Sequence, residues 1–162
     1  MKRPIIASTL LLTVGLFHVQ PLFSQATGSY AKDLSTVYRA YQQLLAVREA
    51  CQTGAAGQRD SVERAYEGWK KKHRAFVEEL DDRLTAMIRG ASSSPQEYSR
   101  NVGRYEGQLL QQRNEYRDRF LQQEKSEVER LCREFPGFLN GKDSDLEQVY
   151  AEQMDSVRKL RP

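Results

Sequence analysis

The chain has the length of one domain and a nearly balanced charge, which argues against several functions. Its 162 residues include 25 Lys and Arg against 22 Asp and Glu, and two of the cations lie in the first 26 residues. Without that segment, which we expect to be removed, 23 cations face 22 anions. So small an excess gives no reason to expect nucleic acid or an anionic membrane as a partner.

The first 26 residues are organised like a signal peptide. Two basic residues open the chain, an apolar run covers residues 5–19, and the small-x-small sequence Ser24-Gln25-Ala26 follows. The run is shorter than the roughly 20 apolar residues that span a bilayer, so an uncleaved anchor is the less favoured alternative. We expect cleavage between Ala26 and Thr27 and export to the periplasm or the outside. Residues 27–162 should then form one domain without a stable membrane anchor.

The two cysteines, Cys51 and Cys132, are the only ones in the chain. Because exported proteins fold in oxidising compartments, we expect them to form a disulfide. Two free buried thiols are the alternative.

Apolar residues recur at three- and four-residue steps in two predicted helices that follow the leader. The first runs from about Ser29 to Cys51, and a turn at residues 54–57 separates it from the second, which ends near Gly90. The apolar face of the second consists of Val62, Tyr66, Trp69, His73, Phe76, Leu80, Leu84 and Met87.

A third and longest helix is predicted from Ser94 to Phe135. Ser94, Pro95 and Glu97 form a capping box with a proline at the first helical position, and Pro136-Gly137 would end the helix. Its apolar stripe predicts that the other helices pack on it. The stripe consists of Tyr98, Val102, Tyr105, Leu109, Tyr116, Phe120, Val128 and Leu131.

A shorter fourth helix should begin at Ser144, which with Glu147 forms another capping pattern. No segment alternates with the period of a strand. The predicted fold class is therefore all-α, an up-down antiparallel bundle of four helices, two long and two shorter.

Helix lengths predict a protruding arm. If the second and third helices reflect about residues 90–95, facing positions sum to about 185, and near the first turn they sum to about 105. Both cysteines then lie at the same end of the bundle. The first and fourth helices end early, so residues 77–108 would form a free two-helix arm about 20 Å long.

This predicted arm carries the candidate interaction surface, for a protein partner or a second copy of the chain. Gly103 and Gly107 each cost roughly 1 kcal/mol inside a helix, yet with Ser99 they form a stripe of small residues. They could admit a partner's backbone, or they could be tolerated weakness or room for large side chains such as Tyr105. The surface comprises Leu80, Leu84, Met87, Tyr98, Val102, Gly103, Tyr105 and Gly107.

Two other features near the middle of the second helix have a plain and a functional interpretation. His73, the one histidine outside the leader, could be a ligand or a pH switch, but we favour a core histidine with a hydrogen bond. The basic patch of Lys70, Lys71, Lys72 and Arg74 could dock an anionic partner such as a phosphate-bearing glycan. We favour simple solvation.

Catalytic signatures are missing from the sequence. No Gly-x-Ser-x-Gly, phosphate loop, dinucleotide fingerprint or zinc pattern is present, so we expect neither an enzyme nor a cofactor or metal. The sequence favours an exported, chaperone- or adaptor-like binding protein of the cell envelope. A dedicated inhibitor or immunity-type protein, and a carrier of haem or another small molecule, are the alternatives.

Overall fold

A computed structural model describes residues 25–162, and all regular structure in that range is helical. The all-α prediction is confirmed, while the predicted signal peptide lies almost wholly outside the described residues. Short 3₁₀ turns cover Ala56–Gln58 and Lys142–Ser144. The α-helices are α1 (Tyr30–Gly54), α2 (Arg59–Lys72), α3 (Arg74–Gly90), α4 (Pro95–Leu121), α5 (Lys125–Asn140), α6 (Leu146–Val149) and α7 (Ala151–Lys159).

The second and fourth predicted helices are interrupted. The second breaks at His73, whose ψ of 19° lies outside the helical range, and the fourth breaks at Tyr150. Asp145, rather than Ser144, caps the start of α6, because its side chain accepts a hydrogen bond from the Gln148 amide. Ser144 is buried, and its hydroxyl donates to the Leu139 carbonyl.

The third predicted helix is wrong in its length and its end. Its start is confirmed, since Ser94 Oγ accepts from the Glu97 amide at 3.2 Å. The chain then turns between α4 and α5, so that Leu121 and Val128 both lie against Gly54. Pro136 does not end α5, which continues to Asn140. The lost backbone bond is offset by burial of Phe135 and Leu139 on the same helix.

Helix α1, not the Ser94–Phe135 stretch, is the centre of the fold. It packs against α2, α3, α4, α5 and α7. Eleven of its 25 residues are buried, whereas Phe120 is the only buried residue of α4. The core therefore forms around α1, and α4 lies at its edge.

The Cys51–Cys132 disulfide is confirmed, with a Cα–Cα distance of 5.3 Å. It joins α1 to α5 at one end of the molecule and closes a loop of 81 residues. By the chain-entropy estimate such a loop contributes about 4–5 kcal/mol to stability.

The predicted free arm is not present, because α1 and α7 both reach further along α3 than predicted. Tyr30 Oη donates to the Arg83 carbonyl at 3.1 Å, so the start of α1 lies level with residue 83. Arg83 Nη1 in turn donates to the Val157 carbonyl of α7 at 3.1 Å. The α4–α5 turn explains the reach of α7. Helix α4 ends at Leu121, fifteen residues before Pro136, where the third helix was expected to end, so the chain reverses direction earlier and α7 extends further along α3.

Candidate docking groove

The structure divides the eight predicted surface residues into three groups. Leu80 is fully buried and Met87 is 8% exposed, so neither can contact a partner, which corrects the prediction. Helix α1 packs on α3 where the free arm was expected, and α7 reaches the same level, since its Val157 carbonyl accepts a hydrogen bond from Arg83 of α3. Gly103 and Gly107 are exposed on the outer side of α4. Half-buried residues form the third group, which is Leu84, Tyr98, Val102 and Tyr105.

Two residues of this third group, Leu84 and Tyr105, line a groove between α1, α3 and α4, whereas Tyr98 and Val102 are not among its lining residues. We call it the α4 groove, and its volume is about 120 Å³. Leu84 contributes from α3, and the rest of the lining comes from α1 and α4. The lining residues are Leu34, Ser35, Tyr38, Arg39, Leu84, Tyr105, Gln108, Leu109 and Gln112.

The α4 groove has an apolar floor and a polar rim. Leu34 is fully buried at its base, and Leu84 and Tyr105 are partly buried against the core. Arg39 and Gln112 also line a second cavity of about 310 Å³, which continues between α1 and α4 past Tyr116. The two cavities therefore lie next to each other along the side of α4, with Arg39 and Gln112 between them.

Polar contacts hold the walls of the α4 groove in place. Tyr38 Oη donates to Asp81 Oδ1 at 3.0 Å, which links α1 to α3. Burial and the nearby Asp81 carboxylate raise the pKa of Tyr38, so its phenol stays protonated and remains a donor. Further along, Arg113 Nε donates to Gln42 Oε1 at 2.8 Å and holds α4 on α1. These contacts hold the walls of the groove in place within the chain itself.

The glycines of α4 face away from the α4 groove. A Cβ atom added to Gly103 or Gly107 would meet no atom within 4 Å. The interpretation that they make room for Tyr105 is therefore wrong, because packing within the chain requires neither glycine. Leu110, one turn further along the same face, is 54% exposed.

His73 is a core residue, as predicted, but without the expected hydrogen bond. Its ring centroid lies 4.9 Å from that of Trp69, and its Nδ1 is 3.9 Å from Asp145 Oδ1. Nε2 is buried and has no hydrogen-bond partner among the described residues. Burial lowers the pKa of His73, although Asp145 opposes the shift, so the ring is neutral at neutral pH.

The basic patch is exposed on both sides of the break at His73. Lys70, Lys71 and Lys72 occupy the last turn of α2, where cations favour the negative end of the helix dipole. Arg74 lies 3.9 Å from Glu78, and both side chains are largely exposed. These positions fit the preferred interpretation of a solvated patch.

Sequence reasoning missed a buried carboxylate, Asp33, in the first turn of α1. Its side chain is fully buried and receives hydrogen bonds from Thr27 and Ser156. An acidic residue near a helix N-terminus is common on a solvated surface. The one signal in the sequence was the apolar face of α7, which indicated that another helix could cover Asp33.

Comparison with protein-family models, curated proteins and solved structures finds no match for this chain. Within residues 25–162, no three or more His, Cys, Asp or Glu side chains are grouped so that they could hold a metal ion. None of the helices described there is long and apolar enough to cross a membrane.

Proposed function

We propose that this protein is an exported, non-enzymatic adaptor that binds a protein partner through the α4 groove. The observation that carries the proposal is the shape of this groove, which has a polar rim and an apolar floor formed by Leu34, Leu84 and Tyr105. Apolar centres with polar rims are typical of protein–protein contacts. The disulfide and the absence of a membrane-spanning helix among the described residues are compatible with export.

The size of the α4 groove favours a single anchoring side chain. A volume of about 120 Å³ suits one large apolar side chain rather than a cofactor. Anchors of this kind often dominate the energy of a protein interface. Gln108, Gln112 and Ser35 would supply hydrogen bonds to the backbone around the anchor.

An adaptor fits this surface better than a general chaperone does. A protein that holds unfolded chains needs extended exposed apolar surface. Among the described residues only two large apolar side chains are exposed, Leu110 at 54% and Leu160 at 39%. A small defined groove instead favours a partner with one defined apolar anchor.

Site-specific photocrosslinking tests this proposal. A photoreactive residue at Gln108, on the rim of the α4 groove, is compared with one at Gln148, which is also exposed but lies on α6. We expect one partner to be crosslinked in envelope extract from Gln108 and not from Gln148. A crosslink to the chain itself would identify a second copy as the partner, and sedimentation would check this.

Binding of the purified partner completes the test. Tyr105→Ala should weaken the affinity about tenfold or more, as expected for loss of an interface aromatic residue, while Glu152→Ala on α7 should not. Equal affinity of Tyr105→Ala and the wild type would overturn the proposal. Loss of the partner's own activity on binding would favour the inhibitor alternative, and a co-purifying chromophore would favour the carrier.

A further inference from the structure

Asp33 is a buried carboxylate without a cationic partner. Its Oδ1 accepts hydrogen bonds from the Thr27 backbone nitrogen at 2.8 Å and from Thr27 Oγ1 at 2.9 Å. Its Oδ2 accepts from Ser156 Oγ of α7 at 2.6 Å. The side chain of Asp33 is fully buried, and among residues 25–162 it takes part in no ion pair.

The charge of Asp33 is retained in spite of this burial. Burial by itself raises the pKa of the carboxyl group, but hydrogen bonds from Ser156, Thr27 and Gly28 more than compensate and hold that pKa below its ordinary value. Asp33 is therefore ionised at neutral pH. A buried, ionised carboxylate is costly unless a cation accompanies it.

The two arginines nearest this end of α3 and α7 form ion pairs with other carboxylates. Arg83 of α3 pairs with Glu79 at 2.7 Å. Arg158 of α7 pairs with the same carboxylate at 2.6 Å and also with Glu147. Lys32, the neighbour of Asp33 in sequence, is exposed. No cationic side chain among the described residues pairs with Asp33, so the group that already contacts it, the Thr27 nitrogen, is the candidate.

Gly28 directs the Thr27 nitrogen at Asp33. Its φ of +69° lies in the left-handed region, and it is the only such residue in the described part of the chain. This conformation strains any residue with a Cβ. A Cβ added to Gly28 would meet no atom within 4 Å, so backbone conformation, not space, favours glycine here.

We propose that Asp33 is a binding site for the α-ammonium group of Thr27, which forms when a signal peptidase cuts the chain between Ala26 and Thr27. In that hydrolysis the Ala26–Thr27 C–N bond breaks and the oxygen of water bonds to the Ala26 carbonyl carbon. The leader leaves as a carboxylate, and both protons of the water end on the Thr27 nitrogen. An α-amine is largely protonated at neutral pH. The amide hydrogen bond therefore becomes an ion pair at the same place.

Removal of the leader would then stabilise the fold. The ion pair fixes residues 27–29 to α1, and Ser156 extends the same cluster to α7. The uncut precursor carries only a neutral amide at this position. Its α1–α7 contact is weaker, and the mature protein becomes most stable after export.

Two chains that differ by two residues test the site. One begins at Thr27 and the other at Gln25, so that in the longer chain the Thr27 nitrogen remains an amide. Because Thr27 is itself exposed, we expect a modest effect, with the Thr27 chain melting about 3–6 °C higher. N-terminal sequencing of exported protein should give Thr27, and any other start would overturn the proposal.

Substitution of Asp33 assigns the effect to this carboxylate. In Asp33→Asn the difference between the two chains should disappear. In Asp60→Asn, which removes an exposed carboxylate from the first turn of α2, the difference should remain. If Asp33→Asn does not fold, acetylation of the Thr27 α-amine in the unsubstituted protein should lower its melting temperature to that of the longer chain. Equal melting of the two chains, or no effect of acetylation, would refute the site.

Discussion

Helices α1 and α4 have similar lengths, 25 and 27 residues, but very different surroundings. Eleven residues of α1 are buried, among them Leu34, Val37 and Cys51. In α4 the corresponding stripe is half-buried except at Phe120, and three of its members, Tyr98, Tyr105 and Tyr116, carry a hydroxyl that tolerates water. Apolar periodicity thus indicates which face of a helix turns inward, but not how many neighbours cover that face.

Truncation of one leucine in each helix should show the largest contrast. Leu34→Ala removes a fully buried side chain beneath the α4 groove and should destabilise the protein by about 2–5 kcal/mol. Leu110→Ala, at a site 54% exposed, should change stability by less than about 0.5 kcal/mol. Equilibrium unfolding in denaturant measures both. A similar loss in the two variants would mean that the outer face of α4 is covered in solution.

Alanine at a glycine of each helix should give smaller effects of opposite sign. Gly103→Ala places a methyl group in open space and should stabilise the protein by about 0.5–1 kcal/mol through helix propensity. Gly54→Ala would place its Cβ 2.6 Å from Leu121 Cδ2 and 3.1 Å from Val128 Cγ1. It should destabilise by about 1 kcal/mol or more. Destabilisation by Gly103→Ala in the same unfolding experiment would contradict an open outer face.

Protonation of His73, a core residue, should have the smallest effect on the stability of the protein. Burial lowers the pKa of His73 in the folded protein, so the unfolded chain binds the proton more readily. Stability should therefore fall as pH decreases below about 6.5, the value of an unperturbed histidine. In His73→Gln this part of the pH dependence should be absent from thermal melts. An unchanged pH profile would show that His73 is already solvated.

The sequence was sufficient for the helical class and the start of the third helix, because both depend on local signals. It was sufficient for the disulfide because the chain has only two cysteines, Cys51 and Cys132. The start of α4 is set locally by Ser94, Pro95 and Glu97, independently of the tertiary structure. The turn at Gln122-Gln123-Glu124 has no glycine or proline, and the apolar repeat continues across it from Phe120 to Val128. No local sequence signal therefore marked the reversal of the chain between α4 and α5.

The candidate site was predicted only in part for the same reason. Leu84 and Tyr105 line the α4 groove, whereas Leu80 and Met87 are buried, and their burial depends on how far α1 and α7 extend along α3. The role of α1 in the α4 groove, through Leu34 and Tyr38, required the pairing of α1 with α4. Such long-range pairings leave no periodic signal in a single sequence.

Amide hydrogen exchange tests most directly the claim that α4 is the weakly covered helix on which a partner binds. Amides of residues 34–51 in α1 should exchange only by global unfolding, because buried side chains and the disulfide hold that helix. Amides of residues 98–110 in α4 should exchange at least about 100-fold faster, through local opening. Equal protection of the two segments in the free protein would contradict the account.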